Sequence, residues 1–249
     1  MVGEQKTYMK FTLLTYNLLY NTASKEIGPI LSTHKPDIIC FQEIVTDDAN
    51  LKLIQRYGYR LADFSNSFMR SRQMYGVATF YRPDVFSLKH SRSFNLPSSL
   101  YQILTFILHA KRNPRTVLKN EFISKTGGKK LITYNIHLTP VATNSHRQKQ
   151  ILNTFEDLHI GKKDAIVVAG DFNYPYGRKK FEEILKTYEL KEATDNIFYT
   201  LERRILRLFS IKWKLDYVLY NKNIKLISNK RIDIRHSDHF PILTSFEFA

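Results

Sequence analysis

The run Ile166-Val167-Val168-Ala169-Gly170-Asp171-Phe172-Asn173-Tyr174-Pro175 decides how the chain is read. It opens as a fully apolar strand. Past one glycine it sets a carboxylate and an amide at i and i+2, which point the same way while the backbone stays extended. Asp and Asn are also ordinary turn formers, so this stretch alone proves little. Its value lies in what the rest of the chain places beside it.

Outward from it, short β-type runs alternate with helical patterns. Phe11–Leu19 and Pro36–Glu43 read as strands, and Tyr75–Pro83 as another, ended by its proline. Between the first two, "TASKEIGPILSTH" has helical character, with Pro29 marking an interruption or a late start. "RTVLKNEFI" and "KKLITYNIHL" pair as a hairpin around Lys125-Thr126-Gly127-Gly128. Asn144–Leu158 reads as a helix capped by Asn144 or Ser145, with Ile151, Leu152, Phe155 and Leu158 on one face. A helix over Arg178–Leu185 and strands in "KLDYVLY" and "FPILTSFEF" complete a mixed α/β layer pattern.

The 249 residues are 43% hydrophobic and 24% charged, enough for a sizeable core. With no repeat or Gly/Ser linker, one domain over residues 9–249 is expected, residues 1–8 being a leader or remnant ahead of Met9. No segment is long and apolar enough to span a bilayer, and the N-terminus has no apolar signal region. A cytoplasmic monomer without an obligate protein partner is the expectation. The single cysteine, Cys40 in "DIICF", excludes an internal disulfide and reads as a core residue. A net charge of +15 suits polyanionic partners, either nucleic acid or an anionic membrane surface.

Six strands or turns end in side chains suited to metal and phosphate. They are Asn17 in "TYNLLYN", Glu43 in "FQEI", His137 in "NIHL", Asp171 with Asn173 in "GDFN", Asp216 in "LDY", and Asp238-His239 in "HSDHFP". Each alone could be a turn former, a cap or a satisfied core residue. Together they supply the carboxylates, amides and imidazoles of a divalent-metal phosphoesterase.

The ordered series "TYN", "QE", "N-x-H-L", "GDFN", "LDY", "SDH-x-P" resembles the endonuclease/exonuclease/phosphatase superfamily over about Phe11 to Phe248. The resemblance implies a two-sheet, four-layer α/β sandwich with mixed strands and outer helices, and an active site where strand ends converge. It implies Mg²⁺ or Mn²⁺ on Glu43, with Asn17 holding the metal shell or a phosphate oxygen and Asp238 a second ligand or an inner orienter. Asp171 would orient and deprotonate the attacking water while Asn173 donates a hydrogen bond to the phosphoryl group or that water. His239 would meet a non-bridging oxygen, partnered by Asp216, and His137 would be a second phosphate contact. Ser237 and Asn135 read as structural. The N-x-H-L motif resembles the phosphatase, sphingomyelinase, pancreatic-type nuclease and tyrosyl-DNA phosphodiesterase branches more than the AP endonucleases.

Two basic segments bear on substrate. Residues 85–120 contain no acid until Glu121, and within them "LPSSLYQILTFILHAKRNPR" has helical spacing with a basic end. That is either a core-packing helix with solvated cations at its C-terminus or an exposed element facing lipid or nucleic acid. The second segment, "LERRILRLFSIKWKLDY", carries Arg203, Arg204, Arg207, Lys212, Trp213 and Lys214 directly into Asp216. Placed there, they are candidate substrate contacts, with Trp213 able to stack on a base. The reading is a Mg²⁺-dependent phosphodiesterase acting preferentially on nucleic acid, the alternative being a sphingomyelinase-like phospholipid or an inositol-phosphate hydrolase.

Overall fold

The computed structural model describes residues 9–98, 115–158, 163–205 and 209–249. β1 (Lys10–Asn17), β2 (Ile38–Val45), β3 (Arg60–Arg70), β4 (Gln73–Tyr81), β13 (Ile224–Arg231) and β14 (Ile242–Phe248) form one six-stranded sheet, ordered β13-β14-β1-β2-β4-β3. A second, ordered β5-β6-β7-β8-β12-β9, takes β5 (Phe86–Asn95), β6 (Thr116–Ser124), β7 (Lys130–His137), β8 (Ala165–Asp171), β9 (Leu190–Glu192) and β12 (Asp216–Asn221). β10 (Leu201–Ile205) and β11 (Phe209–Trp213) make a separate antiparallel pair.

Each sheet contains a parallel pair, β1 with β2 and β7 with β8. Parallel neighbours need a long crossover. α1 (Ser24–His34) lies within the first, and α3 (Asn144–Glu156) within the second, while α2 (Asp48–Gln55) and α4 (Arg178–Thr187) follow β2 and β8.

Period-two alternation sends successive side chains to opposite sheet faces. Phe11, Leu13, Ile38 and Cys40 therefore meet Phe122, Leu131, Val167 and Val218 between the sheets. Leu14, Ile39 and Phe80 turn outward against Ile27, Ile30 and Ile54 of α1 and α2. On the far side Tyr134, Val168 and Leu219 pack on Ile151, Phe155 and Phe181 of α3 and α4. The result is the expected four-layer α/β sandwich. Each fully buried Leu, Ile, Val or Phe contributes about 1.5–3 kcal/mol to it. Burial pushes the Cys40 thiol up to about 12, as suits a core residue. Among the described residues no helix is long and apolar enough to cross a membrane.

The sequence expectations depart from the structure in detail. Pro29 sits inside a continuous α1. Its ring is on the exposed face, so the carbonyl it leaves unbonded can turn to water. Thr143, not Asn144 or Ser145, caps α3, its hydroxyl accepting from the His146 N–H at 3.2 Å. The edge strands β3, β5, β9 and β13 went unanticipated because their polar, half-exposed faces blur the apolar period. The helix expected within residues 96–115 falls largely on residues 99–114, outside the described residues. Two cations of the basic segment are internally paired: Lys119 with Asp157 at 3.1 Å, and Arg92 with the same carboxylate.

Candidate functional site

In the second sheet, register alone gathers three side chains. Asp171 lies opposite His137 on parallel β7 and opposite Asp216 on antiparallel β12. Residues at matched register share a face, so the three emerge together at the sheet's end. Gly170 allows this close approach. It has φ +141°, and a Cβ there would stand 2.0 Å from the Ile136 carbonyl oxygen, so no other residue fits without moving backbone.

The first sheet contributes through irregular backbone. After Asn17, Leu19, Tyr20 and Asn21 have φ of +45°, +53° and +64°, three successive left-handed non-glycine residues. This turn aims the Leu19 N–H at Asn17 Oδ1 (3.0 Å) and the Tyr20 N–H at Glu43 Oε2 (3.0 Å). Glu43 itself has φ +53° and sits where the pairing of β2 with β4 shifts between Gln42 and Ile44. A bulge of this kind redirects a side chain out of the strand's alternation. The segment entering β14 closes the site: Ser237 Oγ donates to the Asn17 carbonyl (2.9 Å) and accepts from the His239 N–H (3.0 Å).

Asp171 is the hub. Its Oδ1 accepts from the Asn173 backbone N–H (2.8 Å), and its Oδ2 from the amides of Asn17 (2.9 Å) and Asn173 (3.0 Å). His137 Nε2 and His239 Nε2 lie 3.6 and 3.8 Å from Oδ2. Asn173 Nδ2 also donates to the Leu138 carbonyl at 3.1 Å, so both its amide protons are spent. Asn173, expected to donate to a phosphoryl group or the attacking water, here holds Asp171. Asn17 likewise gives its amide to Asp171. His239 Nδ1 meets Asp216 Oδ2 at 2.8 Å, the expected partnership.

One buried residue was not singled out. Arg115 places Nη1 3.1 Å from His137 Nδ1, with its guanidinium carbon 5.0 Å from the Phe68 ring centroid. Arginine only donates, so Nδ1 must accept and the His137 proton sits on Nε2. Nε2 is buried without a hydrogen-bond partner, 3.6 Å from Glu43 Oε1. The available signal was a lone arginine abutting the apolar strand "TVL", and it was counted only among surface cations.

The electrostatics follow from burial and charge. Burial, then Arg115, push the His137 imidazole well below its ordinary value, so it stays neutral. Burial would also lower His239, but the carboxylates of Asp216 and Asp171 win and hold it up at about 10. Burial raises Asp171 to about 7, His239 pulling against it. Burial likewise raises Glu43, opposed by Arg115. Asp171, Asp216 and His239 each bring an atom within 4.8 Å of the others'. The His239–Asp216 hydrogen bond takes up Nδ1 and Oδ2. Asp216 Oδ1 and Asp238 Oδ1 are buried without a hydrogen-bond partner and, with Glu43, offer oxygens to a cation.

This constellation lies within a longer match: the sequence profile of the Endonuclease/Exonuclease/phosphatase family covers residues 14–239. The chain belongs to that family. No curated protein matches it in sequence. Three solved structures show how far its fold extends. The human Nocturnin catalytic domain with bound sulfate is 18% identical, with TM-score 0.75 over 96% of this chain and 95% of that one. The Bacteroides thetaiotaomicron mannosyl-6-phosphatase Bt3783 is 16% identical, with TM-score 0.70 over 96% and 100%. ANGEL2, a 2′,3′-cyclic phosphatase, is 14% identical, with TM-score 0.72 over 97% and 96%. Members of the family are phosphoric ester hydrolases.

Around the family's strand-end residues, the candidate substrate contacts separate. Lys214 turns inward to Glu192 (2.6 Å) and the Thr194 carbonyl (2.5 Å). Lys212 lies over the Tyr199 ring, 4.7 Å from its centroid, and Trp213 is partly exposed on β11. Arg203 and Arg204 are exposed on β10. Arg207 lies outside the described residues.

Proposed function

We propose that the chain is a divalent-metal-dependent phosphodiesterase with nucleic acid as its preferred substrate class. The observation that carries this is the convergence of four carboxylates, Glu43, Asp171, Asp216 and Asp238, on one site, with Arg115, Arg147 and His239 the cations that act on them among the described residues. A buried set rich in carboxylates suits a hard divalent ion, and Asp238 Oδ1, buried without a hydrogen-bond partner and 4.0 Å from His239 Nε2, can donate to one. Glu43 would hold Mg²⁺ or Mn²⁺, with Asp238 and the remaining lone pair of Asn17 Oδ1 beside it. When bound, the ion neutralises charge on the phosphoryl oxygens.

The chain's own groups account for the rest. Asp171, raised to about 7 by burial, takes a proton from the attacking water near neutral pH. The water oxygen bonds to phosphorus as the P–O bond to the leaving group breaks. His239, protonated and held by Asp216, donates from Nε2 to a non-bridging oxygen as its charge grows. His137 donates from Nε2 as a neutral imidazole because Arg115 occupies Nδ1. Asn17 and Asn173 keep the Asp171 carboxylate in one orientation.

Support for nucleic acid comes from the charge of +15 and from Arg203 and Arg204, which have no carboxylate partner among the described residues. The reading is tested on plasmid DNA, single-stranded DNA, RNA, sphingomyelin and inositol phosphates, with Mg²⁺ and with chelator. Nucleic-acid hydrolysis that stops with chelator and falls steeply with salt is expected. Turnover of sphingomyelin or inositol phosphates with a flat salt response rejects the substrate class. Activity that survives chelation rejects the metal.

A further inference from the structure

A cleft of about 400 Å³ opens beside the site, between β10 and the segment entering β14. Leu19, Phe240, Arg203, Arg204, Arg235 and His236 line it. Ser237 and Asp238 also border it, so the cleft adjoins the segment that carries His239.

Backbone pairing fixes its position. The Glu202 N–H donates to the Asp238 carbonyl (2.8 Å), and the Phe240 N–H to the Thr200 carbonyl (2.8 Å). Leu201 forms a β-bridge with His239. The strand carrying the two arginines is therefore bonded to the residues that carry His239, so the arginines keep their distance from the phosphoryl-binding imidazole. His236 is tied down by Glu26, and its carbonyl accepts from Thr22 Oγ1 at 3.0 Å.

The charge balance favours an anion. Glu202 is the one acid on the arginine side of the cleft, and it lies 3.5 Å from Arg235 and 3.9 Å from Lys212, which settles Arg235 in place. Among the described residues neither Arg203 nor Arg204 has a carboxylate partner, whereas Lys214, just past the end of β11, is bound to Glu192. Guanidinium forks match phosphate oxygens in bidentate geometry, which a lysine does not.

We infer that this cleft binds a second phosphate of the substrate molecule, next to the one being hydrolysed; the inference rests on the phosphoesterase reading. The ligand is then a bis- or polyphosphorylated substrate, with Arg204 and Arg235 clamping the non-reacting phosphate and Arg203 and His236 flanking it. A monophosphate ester would fill the reacting position and leave the clamp empty.

The test compares p-nitrophenyl esters of thymidine 3′- and 5′-phosphate, each with and without a phosphate on the other hydroxyl, alongside inositol monophosphate and bisphosphate. In the esters, water adds to phosphorus and p-nitrophenolate leaves with the P–O electron pair. With Mg²⁺, kcat/KM for one two-phosphate thymidine ester is expected to exceed its one-phosphate counterpart by about tenfold, the worth of one charge-assisted hydrogen-bonded contact. The double variant Arg204→Gln/Arg235→Gln should bring that ratio to about one, while Lys179→Gln/Lys186→Gln, an equal charge loss on α4, should leave it in place. A preference confined to the inositol pair and lost in the double variant keeps the second-phosphate site and assigns its phosphate to a polyol. Hydrolysis without preference, or a preference that survives the double variant, overturns the cleft and leaves the phosphoesterase reading standing. No hydrolysis of any compound overturns that reading, and the cleft with it.

Discussion

The two sheets deliver their parts of the site by different means. The second uses ordinary register: His137, Asp171 and Asp216 are neighbours because three strands are aligned, and the single unusual requirement is the glycine at 170. The first uses departures from regularity, a left-handed turn over Leu19–Asn21 and a left-handed Glu43 at a bulge. Left-handed non-glycine residues cost about 1–3 kcal/mol each and persist only where the surroundings over-determine them. Here the surroundings are the bonds from Leu19 and Tyr20 to Asn17 and Glu43. Asp171 and His137, assigned to proton and phosphoryl work, thus sit on regular strands, while the assigned cation ligand Glu43 sits on strained backbone and His239 on the irregular segment entering β14.

Substitutions on the two sides should separate these contributions. The largest effect is expected from Asp171→Asn on the regular side, with kcat lower by about a thousandfold and substrate binding retained. Steady-state rates with binding to an uncleaved oligonucleotide measure this, and near-normal turnover would remove Asp171 from its role. Next, Gly170→Ala should destabilise the fold by about 3 kcal/mol or more, because its Cβ meets backbone rather than a yielding side chain. Urea unfolding checks it, and a loss within experimental error would show that β7 and β8 can separate freely.

The third effect concerns pH. His239 is held at about 10 in the fold against an ordinary 6.5. A raised value means that the folded state binds the proton more tightly, so the stabilisation is complete below pH 6.5 and is lost as pH rises through 10. In chelator, the thermal midpoint should fall over that window by on the order of several degrees, and His239→Gln should flatten the fall. A parent midpoint independent of pH would contradict the assigned charge state. The smallest effect belongs to the strained side: Leu19→Gly should change stability by less than about 1 kcal/mol, because relief of the left-handed φ offsets the lost side chain. A much larger loss would mean that packing, not backbone bonding, holds the turn.

The contrast also explains what could be read from sequence. The strand-end residues of the second sheet were legible because a period-two pattern that stops in a polar residue fixes which way that residue points. Asn17 and Glu43 were identified by type and order, but the sequence contains no glycine at 19–21 or 43 to announce a left-handed backbone. Arg115 was missed because a buried cation looks like a surface one until its partners are assembled from β7 and β2. Asn173 was given a substrate contact because its amide protons were counted as free, and only the fold shows both donated to Asp171 and Leu138. The polar edge strands and the inward turn of Lys214 depend on which neighbours a strand acquires, which local pattern does not encode.

A last consequence comes from the amides buried between the sheets. Gln42 Nε2 donates to Asn135 Oδ1 at 2.8 Å, and Asn135 Nδ2 donates to the carbonyls of Phe41 (3.1 Å) and Ala78 (3.0 Å). Oil-like faces can slide over one another at little expense, whereas a one-residue slip here would strand these amides in a dry interior. Gln42 precedes Glu43, and Asn135 lies two residues before His137. The pair therefore works as an alignment key between the two sheets that carry the site, setting the gap across which a phosphate must fit.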